Sequence, residues 1–496
     1  MRKSSNHLWY AFVLFVTLLY KPLFAHSAQL KPVSEKIDNF LTAGEKIAYS
    51  GAVFVSFKNG EVFSKGYGFA NREQQLKNSV RTIFDIGSNT KQFTSAAILK
   101  LFENSKLQLT DPLSVFFPHV PTDKSGITVH QLLSHTSGLI ESVGRDAEFI
   151  DKKELLNRAF SSQLSFAPGI EFQYSNVAYS LLAAIIENVS AKSYEDFLYS
   201  DLWHPSGLEN TGYLRPNWQE KTDFLAMGYR NTIDNIGTTI SMYQHQGVTW
   251  NLMGNGGINT NLHDLQTWMH RLITKQVLSP QNTARLFAQQ YKPDDTDTWH
   301  GGYGWFSSIE PYGTQMISHT GSNGIFQSSI RWFPKEQLTV LTLSNAQYSE
   351  VERVASTISE IVLKPSESPQ ALQMSPYQAA LKFSQQNKPE QVKRLLQFVT
   401  NHTELKFGDK RLINRMGSHF LKNNDFLWAN ALFQLNLDLF PDDGNLWDSI
   451  GESQYKAKQY KAAKASFSKA IALGKDVNCY WCENAQQKLK EIERIH

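Results

Sequence analysis

Cysteine is nearly absent: the 496 residues contain two, Cys479 and Cys482, both within NCYWCEN. A multi-bridge disulfide scaffold is therefore excluded. A zinc site would need two further ligands, and no second cysteine pair exists. A redox motif would sit beside a βαβ unit, whereas this pair lies in a helical tail, so it reads as a local disulfide or as two idle thiols. Excess charge is also missing. Lys and Arg number 49 against 46 Asp and Glu, a net +3 without a long basic run, which gives no case for nucleic acid as a partner. His-Glu-x-x-His does not occur, and His130 and His135 are five apart, off a single helical face. No metal and no cofactor are expected.

No apolar run reaches the roughly 20 residues of a membrane span. The longest, LWYAFVLFVTLLY at 8–20, follows the positive charge of MRK and precedes KPLFAHSAQ. This order fits a secretory signal over 1–28 with small residues from Ala25 to Ala28 at the cleavage region, and an uncleaved anchor is the alternative. No cysteine near that region offers a lipid attachment site. The protein is expected to be exported, periplasmic or secreted.

What is present points to a folded chain of two or three domains, with 41% hydrophobic and 19% charged residues. From about 30 to 362, strand-like and helix-like runs mix. GAVFVSFKNGEVFSKGYGFA predicts a hairpin around Asn59-Gly60. FQSSIRWFP and QLTVLTLSNA are strand-like again near residue 340. TSAAILKLFEN, AYSLLAAIIENVS and HDLQTWMHRLI between them have helical spacing. Strands at both ends with helices between predict one sheet assembled from both, plus a helical region: an α+β fold. LKPSESPQALQMSP, 363–376, reads as a linker. Beyond it, 377–496 is helical in pattern and repeats. Gly417 and Gly451 are 34 residues apart, as are Phe426 and Tyr460, Ala429 and Ala463, Phe433 and Phe467, Leu437 and Ile471, and Leu439 and Leu473. That period and those residue types match a tetratricopeptide pattern, which predicts a surface for a protein partner.

The chemistry turns on Ser-x-x-Lys, which occurs at Ser88/Lys91, Ser453/Lys456 and Ser466/Lys469. The last two fall in the repeats and read as solvated helix faces. The first opens the apolar helix of FDIGSNTKQFTSAAILKL. A serine hydroxyl is a weak nucleophile until a base takes its proton, and three residues along a helix set Lys91 one turn from Ser88. Lysine deprived of water can lose its proton near neutrality. Two further elements follow in order: Tyr174-Ser175-Asn176 and His319-Thr320-Gly321. Tyr229/Asn231 and Lys124-Ser125-Gly126 repeat parts of the pattern out of order or context.

Ser-x-x-Lys, Tyr-x-Asn and basic-Thr-Gly in this order resemble the serine β-lactamase and penicillin-binding superfamily, in particular its class C β-lactamase-related branch. ITVHQLLSHTSGL, FAPGIEFQYSN, LWHPSGLENTGY, GNGGINTNLHDLQTW and LTVLTLSNA are similar to that family as well, so the likeness spans about 33–362. The resemblance implies an antiparallel sheet flanked by helices plus an all-helical region. It implies an acyl-enzyme on Ser88, with Lys91 and Tyr174 as base partners and the Tyr174 phenolate favoured by its neighbours. Asn176, His319, Thr320, Gly321 and Ser322 would bind substrate, and the Ser88 and Ser322 N–H groups would form an oxyanion hole. His135 is read as structural.

One departure bears on substrate. A class C β-lactamase carries lysine where this chain has His319, and histidine is charged only part of the time near pH 7. A grip on a substrate carboxylate should weaken and become pH-dependent. The leading expectation is an exported serine hydrolase acting on an amide or ester: a D-amino-acid peptide, a cell-wall fragment or a small ester. A true β-lactamase is the enzyme alternative, and a binding protein working through the helical repeats is the non-enzyme one.

Overall fold

The computed structural model describes residues 31–495 except 48, 59, 231–233, 239, 242–246, 292–298, 348–349, 404–409 and 475–478. The signal segment, Asn59 of the hairpin turn and Asn231 thus lie outside the described residues. The chain divides into two compact units, Met1–Leu372 and Gln373–His496.

The first unit is built on a seven-stranded antiparallel sheet. Its strands are β1 (Gly51–Phe57), β2 (Gly60–Tyr67), β3 (Trp299–Gly301), β4 (Phe306–Ile309), β5 (Gln315–Ser322), β6 (Gln327–Phe333) and β7 (Leu338–Ser344). They lie in the order β2-β1-β7-β6-β5-β4-β3. The predicted hairpin is β1–β2. The sheet closes where β1 meets β7, Gly51 opposite Ser344 and Phe57 opposite Leu338. Period-two alternation serves both faces. Ala52 and Phe54 enter one core, Val53 and Val55 the other. Against the second face pack the helix over 31–45, through Ile37 and Leu41, and the helix Val351–Leu363, through Val354 and Ile358.

The first face carries the all-helical region. Its central helix is α1 (Lys91–Glu103), buried at every position from Lys91 to Leu99. A helix buried on all sides needs no solvent-facing stripe, which explains why KQFTSAAIL lacks an amphipathic pattern. Beside it lie α2 (Asn176–Ser190) and α3 (Leu262–Ile273). Each is started by its own cap: Ser175 accepts from the Ala178 N–H, and Asn261 from the Asp264 N–H.

The second unit is helical throughout its described length. Lys410–Lys422 pairs with Phe426–Leu439, and Gly444–Lys456 with Tyr460–Leu473, before a last helix, Cys482–Ile495. The same interlock recurs 34 residues on. A Cβ added to Gly417 would press into the Phe433 ring, and one on Gly451 into Phe467. The reading of Ser453 and Ser466 as solvated does not hold. Both are buried between helices, and Ser466 donates to Gln454 Oε1 at 2.8 Å, while Lys456 and Lys469 are exposed. Three residues along a helix leave the side chains about 60° apart, so at the margin of a buried face the short serine lies inside while the longer lysine reaches solvent. Cys479 and Cys482 form a disulfide.

Phe467 has no exposed surface and fills the notch left by Gly451. Phe467→Ala should cost about 3–5 kcal/mol. Urea unfolding followed by circular dichroism should show the helical unit melting at lower denaturant than in the wild type.

Candidate active site

Ser88 lies in a single 3₁₀ turn, Gly87–Thr90, that runs directly into α1. Glycine is required before it. Gly87 has φ +51°, and a Cβ there would lie 2.4 Å from the Ser322 backbone nitrogen. Gly321 is as constrained, since its Cβ would fall 1.9 Å from the Ile86 carbonyl oxygen. The turn and the end of β5 therefore touch backbone to backbone. This contact brings the backbone around Ser88 against that of Ser322, and both residues line a cleft of about 470 Å³. Ser88, Tyr174, Phe306, His319, Thr320 and Glu352 are among its lining residues.

Lys91 is wholly buried. Its Nζ donates to Asn176 Oδ1 at 2.7 Å and to the Asn255 carbonyl at 2.8 Å, and lies 3.2 Å from Ser88 Oγ. Burial pushes the amine well below the ordinary lysine range, with Asp146 and Glu141 opposing. A neutral amine has two N–H groups and one lone pair. In that neutral form the two fixed acceptors would take the N–H groups and leave the lone pair for the serine hydroxyl. GNGG, noted only as a family-like stretch, supplies the Asn255 carbonyl.

Tyr174, Ser175 and Asn176 are placed by the middle residue. Ser175 is fully buried; its N–H donates to His135 Nδ1 at 3.0 Å and its hydroxyl to the Ile140 carbonyl at 2.8 Å. The Tyr174 ring is held between Lys91 Nζ, 4.7 Å from its centroid, and the His135 imidazole, stacked at 4.5 Å. The expected phenolate is not favoured here. Burial raises the Tyr174 phenol, and hydrogen bonding with Ser88 opposes that only in part. The physical reason is that its neighbours are themselves desolvated and carry little charge to stabilise an anion.

His319 departs further from expectation. It lines the cleft but is only 4% exposed. Its Nδ1 lies 2.5 Å from the Thr320 carbonyl, which can only accept, so that nitrogen carries the proton. Nε2 is buried without a partner. Burial, assisted by Lys91, pushes the imidazole down to about 3, so it is neutral through the physiological range rather than a part-time cation. His135 is likewise held neutral by burial. It is structural in the sense expected, and it also seats Tyr174. Thr320 lines the cleft beside Gly321 and Ser322. Two residues the motifs do not name complete the surroundings. Asp85, buried, accepts from the Gly87 N–H, and Phe306 forms a wall beside Tyr174 and His319. An acidic side chain inside the apolar run FDIG was the available signal for the first. Tyr229 of the repeated Tyr-x-Asn pattern donates to Glu73 Oε2 at 2.9 Å. Lys124 of the out-of-context triplet is buried against Asp123, at 2.6 Å. Among the described residues no group of three or more His, Cys, Asp or Glu could hold a metal ion.

A histidine at 6.5 when unfolded and about 3 when folded leaves the unfolded chain holding one more proton between those values. The stability His319 contributes is thus complete above pH 6.5 and is lost as pH falls toward 3, by up to about 1.4 kcal/mol per pH unit. Urea unfolding at pH 7 and pH 5 should show a smaller acid-side loss in His319→Gln than in the wild type.

With the geometry in place, likeness to known proteins can be stated. The Beta-lactamase family matches residues 37–362. Protein flp of Staphylococcus aureus (strain NCTC 8325 / PS 47) is 30% identical over 319 residues, 61% of this chain and 61% of its own length. The putative penicillin-binding protein PbpX of Bacillus subtilis (strain 168) is 31% identical over 281 residues, 55% of this chain and 66% of its own. The match thus spans about three-fifths to two-thirds of those relatives. Two solved structures share the fold. The octameric penicillin-binding protein homologue from Pyrococcus abyssi has a TM-score of 0.58 at 24% identity, covering 71% of this chain and 82% of that one. The penicillin binding protein from Bacillus halodurans has a TM-score of 0.56 at 22% identity, covering 65% and 99%. An antiparallel sheet, a cleft-lining serine one turn from a buried lysine, and a family match over residues 37–362 lead to one conclusion: the chain belongs to the Beta-lactamase family.

Proposed function

We propose that the protein is a serine hydrolase that forms an acyl-enzyme on Ser88 and acts on amide or ester substrates. The observation that carries this reading is the Lys91 amine, fully buried, anchored by two acceptors and 3.2 Å from Ser88 Oγ. In the first step Lys91 takes the Ser88 proton as Oγ attacks the carbonyl carbon. The carbonyl oxygen, now negative, is met by the Ser88 and Ser322 N–H groups. The proton passes to the leaving amine or alcohol, with the neutral Tyr174 hydroxyl as relay. Water then attacks the acyl carbonyl by the same route in reverse. Asn176 fixes Lys91 and has its side chain near the incoming acyl group, and Thr320 and Gly321 supply the strand edge along which substrate lies.

The substrate proposed is a D-amino-acid peptide, a cell-wall fragment or a small ester. Efficient β-lactam hydrolysis is the less favoured reading, because a neutral His319 gives no charge to hold a carboxylate. Export is proposed as well, supported by the disulfide, which persists in oxidising compartments. For the second unit we propose a tetratricopeptide-like surface for a protein partner, supported by the recurring Gly–Phe interlock.

Intact-protein mass after brief incubation with a cephalosporin, a D-Ala-D-Ala peptide and a short-chain aryl ester is the test. An adduct from the ester or peptide, absent in Ser88→Ala, is expected. Lys91→Ala should slow adduct formation by roughly 10²–10⁴-fold. Turnover that survives in Ser88→Ala, or rapid turnover of the cephalosporin alone, would overturn the proposal in its mechanism or in its substrate class respectively.

A further inference from the structure

Asp85 is a buried carboxylate, 2% exposed, that the proposed reaction does not use. It ends the short strand Ile83–Asp85, which pairs with Asn259–Asn261. Its two oxygens point to different parts of the chain. Oδ1 accepts from the Gly87 N–H at 2.6 Å. Oδ2 accepts from Asn323 Nδ2 at 2.8 Å, 238 residues away in sequence. Gly87 immediately precedes Ser88, and Asn323 immediately follows Ser322. The partners of Asp85 are therefore the next-door neighbours of the two residues whose amides flank the nucleophile.

Asn323 is itself committed. Its Oδ1 accepts from the Ile325 and Phe326 N–H groups, at 3.0 and 2.9 Å. It closes the β5–β6 turn in this way, and its amide orientation is fixed because only the oxygen can serve those two donors. Asp85 cannot exchange roles with it. With asparagine at 323, a carboxylate is needed at 85 because both its contacts are donors.

We infer that Asp85 is the positioning residue of the oxyanion hole, a single carboxylate that ties the Ser88 turn to the Ser322 hairpin and fixes the spacing of their amides. The inference rests on the serine-hydrolase reading. Beside this tie the two walls approach closely through their backbones, and Ser328 donates to the Ile86 carbonyl and accepts from Asn89 Nδ2, both at 2.7 Å. Neither reaches beyond Ser322 into the turn. Burial moves the Asp85 carboxyl up to about 6, with the Gly87 and Asn323 bonds holding it down and Asp146 adding to the rise. The stretches packed on it, Gly87–Thr90, Asn259–Asn261 and 322–326, contain no titratable side chain, so Asp146 is the charge whose field reaches it.

Substitution separates bridging from packing. In Asp85→Asn one oxygen still accepts from Gly87, but the new NH₂ faces the NH₂ of Asn323. Adding Asn323→Asp restores the pair with donor and acceptor exchanged, and position 323 keeps an oxygen for Ile325 and Phe326. The readout is the rate of Ser88 labelling by a fluorophosphonate, followed by intact mass, with kcat and KM for any ester turned over.

Asp85→Asn is expected to slow labelling by about 10²-fold. The loss should fall on kcat rather than KM, and the double variant should recover most of it. The wild-type rate should fall below about pH 6, and Asp85→Asn should lack that limb. A single variant that labels as fast as wild type, or a double variant no better than the single, overturns the positioning role alone. A wild-type chain that takes no label overturns the serine-hydrolase reading, and this role with it. Should Asp85→Asn fail to fold by circular dichroism, Asn323→Ala cuts the same tie from the other side. A similar loss is then expected, and an unchanged rate overturns the inference.

Discussion

An ammonium ion taken out of water loses several kcal/mol of solvation unless a counter-charge replaces it. Lys91 has no exposed surface, and what surrounds Nζ is an amide oxygen, a peptide carbonyl, a hydroxyl and an aromatic face. None of these is an anion. The carboxylates that act on Lys91, Asp146 and Glu141, do so without a direct hydrogen bond. The amine is therefore most comfortable neutral, and the same desolvation governs its neighbours. His135 and His319 lose their extra proton, and Tyr174 keeps its own. Four titratable groups sit together with little net charge. For the proposed acyl transfer, a pocket in that condition has a strong preference for where charge first appears: at the substrate oxygen, beside the Ser88 and Ser322 amides.

Keeping water away from Lys91 requires closure on every side. α1 supplies one wall from inside the core, α2 another through Asn176, and the end of β5 a third. The last contact is made by backbone atoms, and a Cβ at 87 or 321 would fall 2.4 or 1.9 Å from the facing backbone, well inside ordinary contact distance. Gly87 and Gly321 thus do more than permit a turn. They let a sheet edge and a helix start come within touching distance, which is what makes the amides neighbours.

Much of this was legible in the chain. The hairpin followed from two β-rich runs around a turn signal, the late strands from alternation, and the helices between them from their spacing. The order of Ser88, Lys91, Tyr174, Asn176 and His319 pointed to residues the fold brings to one cleft. What escaped was anything decided by distant neighbours. Protonation is the clearest case. His319 as a free imidazole titrates near neutrality; in the fold it does not, because Phe306 and Tyr174 displace its water. Ser453 and Ser466 looked exposed because their lysines are, and their burial depends on the facing helix. Asp85 was visible as an oddity in FDIG, but its second partner, Asn323, is set by the register of a strand that sequence spacing does not give.

The strand order carries a consequence for how the protein comes into being. β1 pairs along its whole length with β7, so residues 51–57 wait for 338–344 before they have a neighbour on that side. Contacts so remote in sequence are slow to form and cannot form in part. A ribosome reading from the N-terminus releases Ser88 and Lys91 long before Gly321 and Ser322. During that interval the serine lies in an unsealed, hydrated segment where the lysine stays charged. On the proposed reading, Ser88 stays inert by construction until about two-thirds of the chain has emerged, so latency during synthesis requires no separate inhibitory segment.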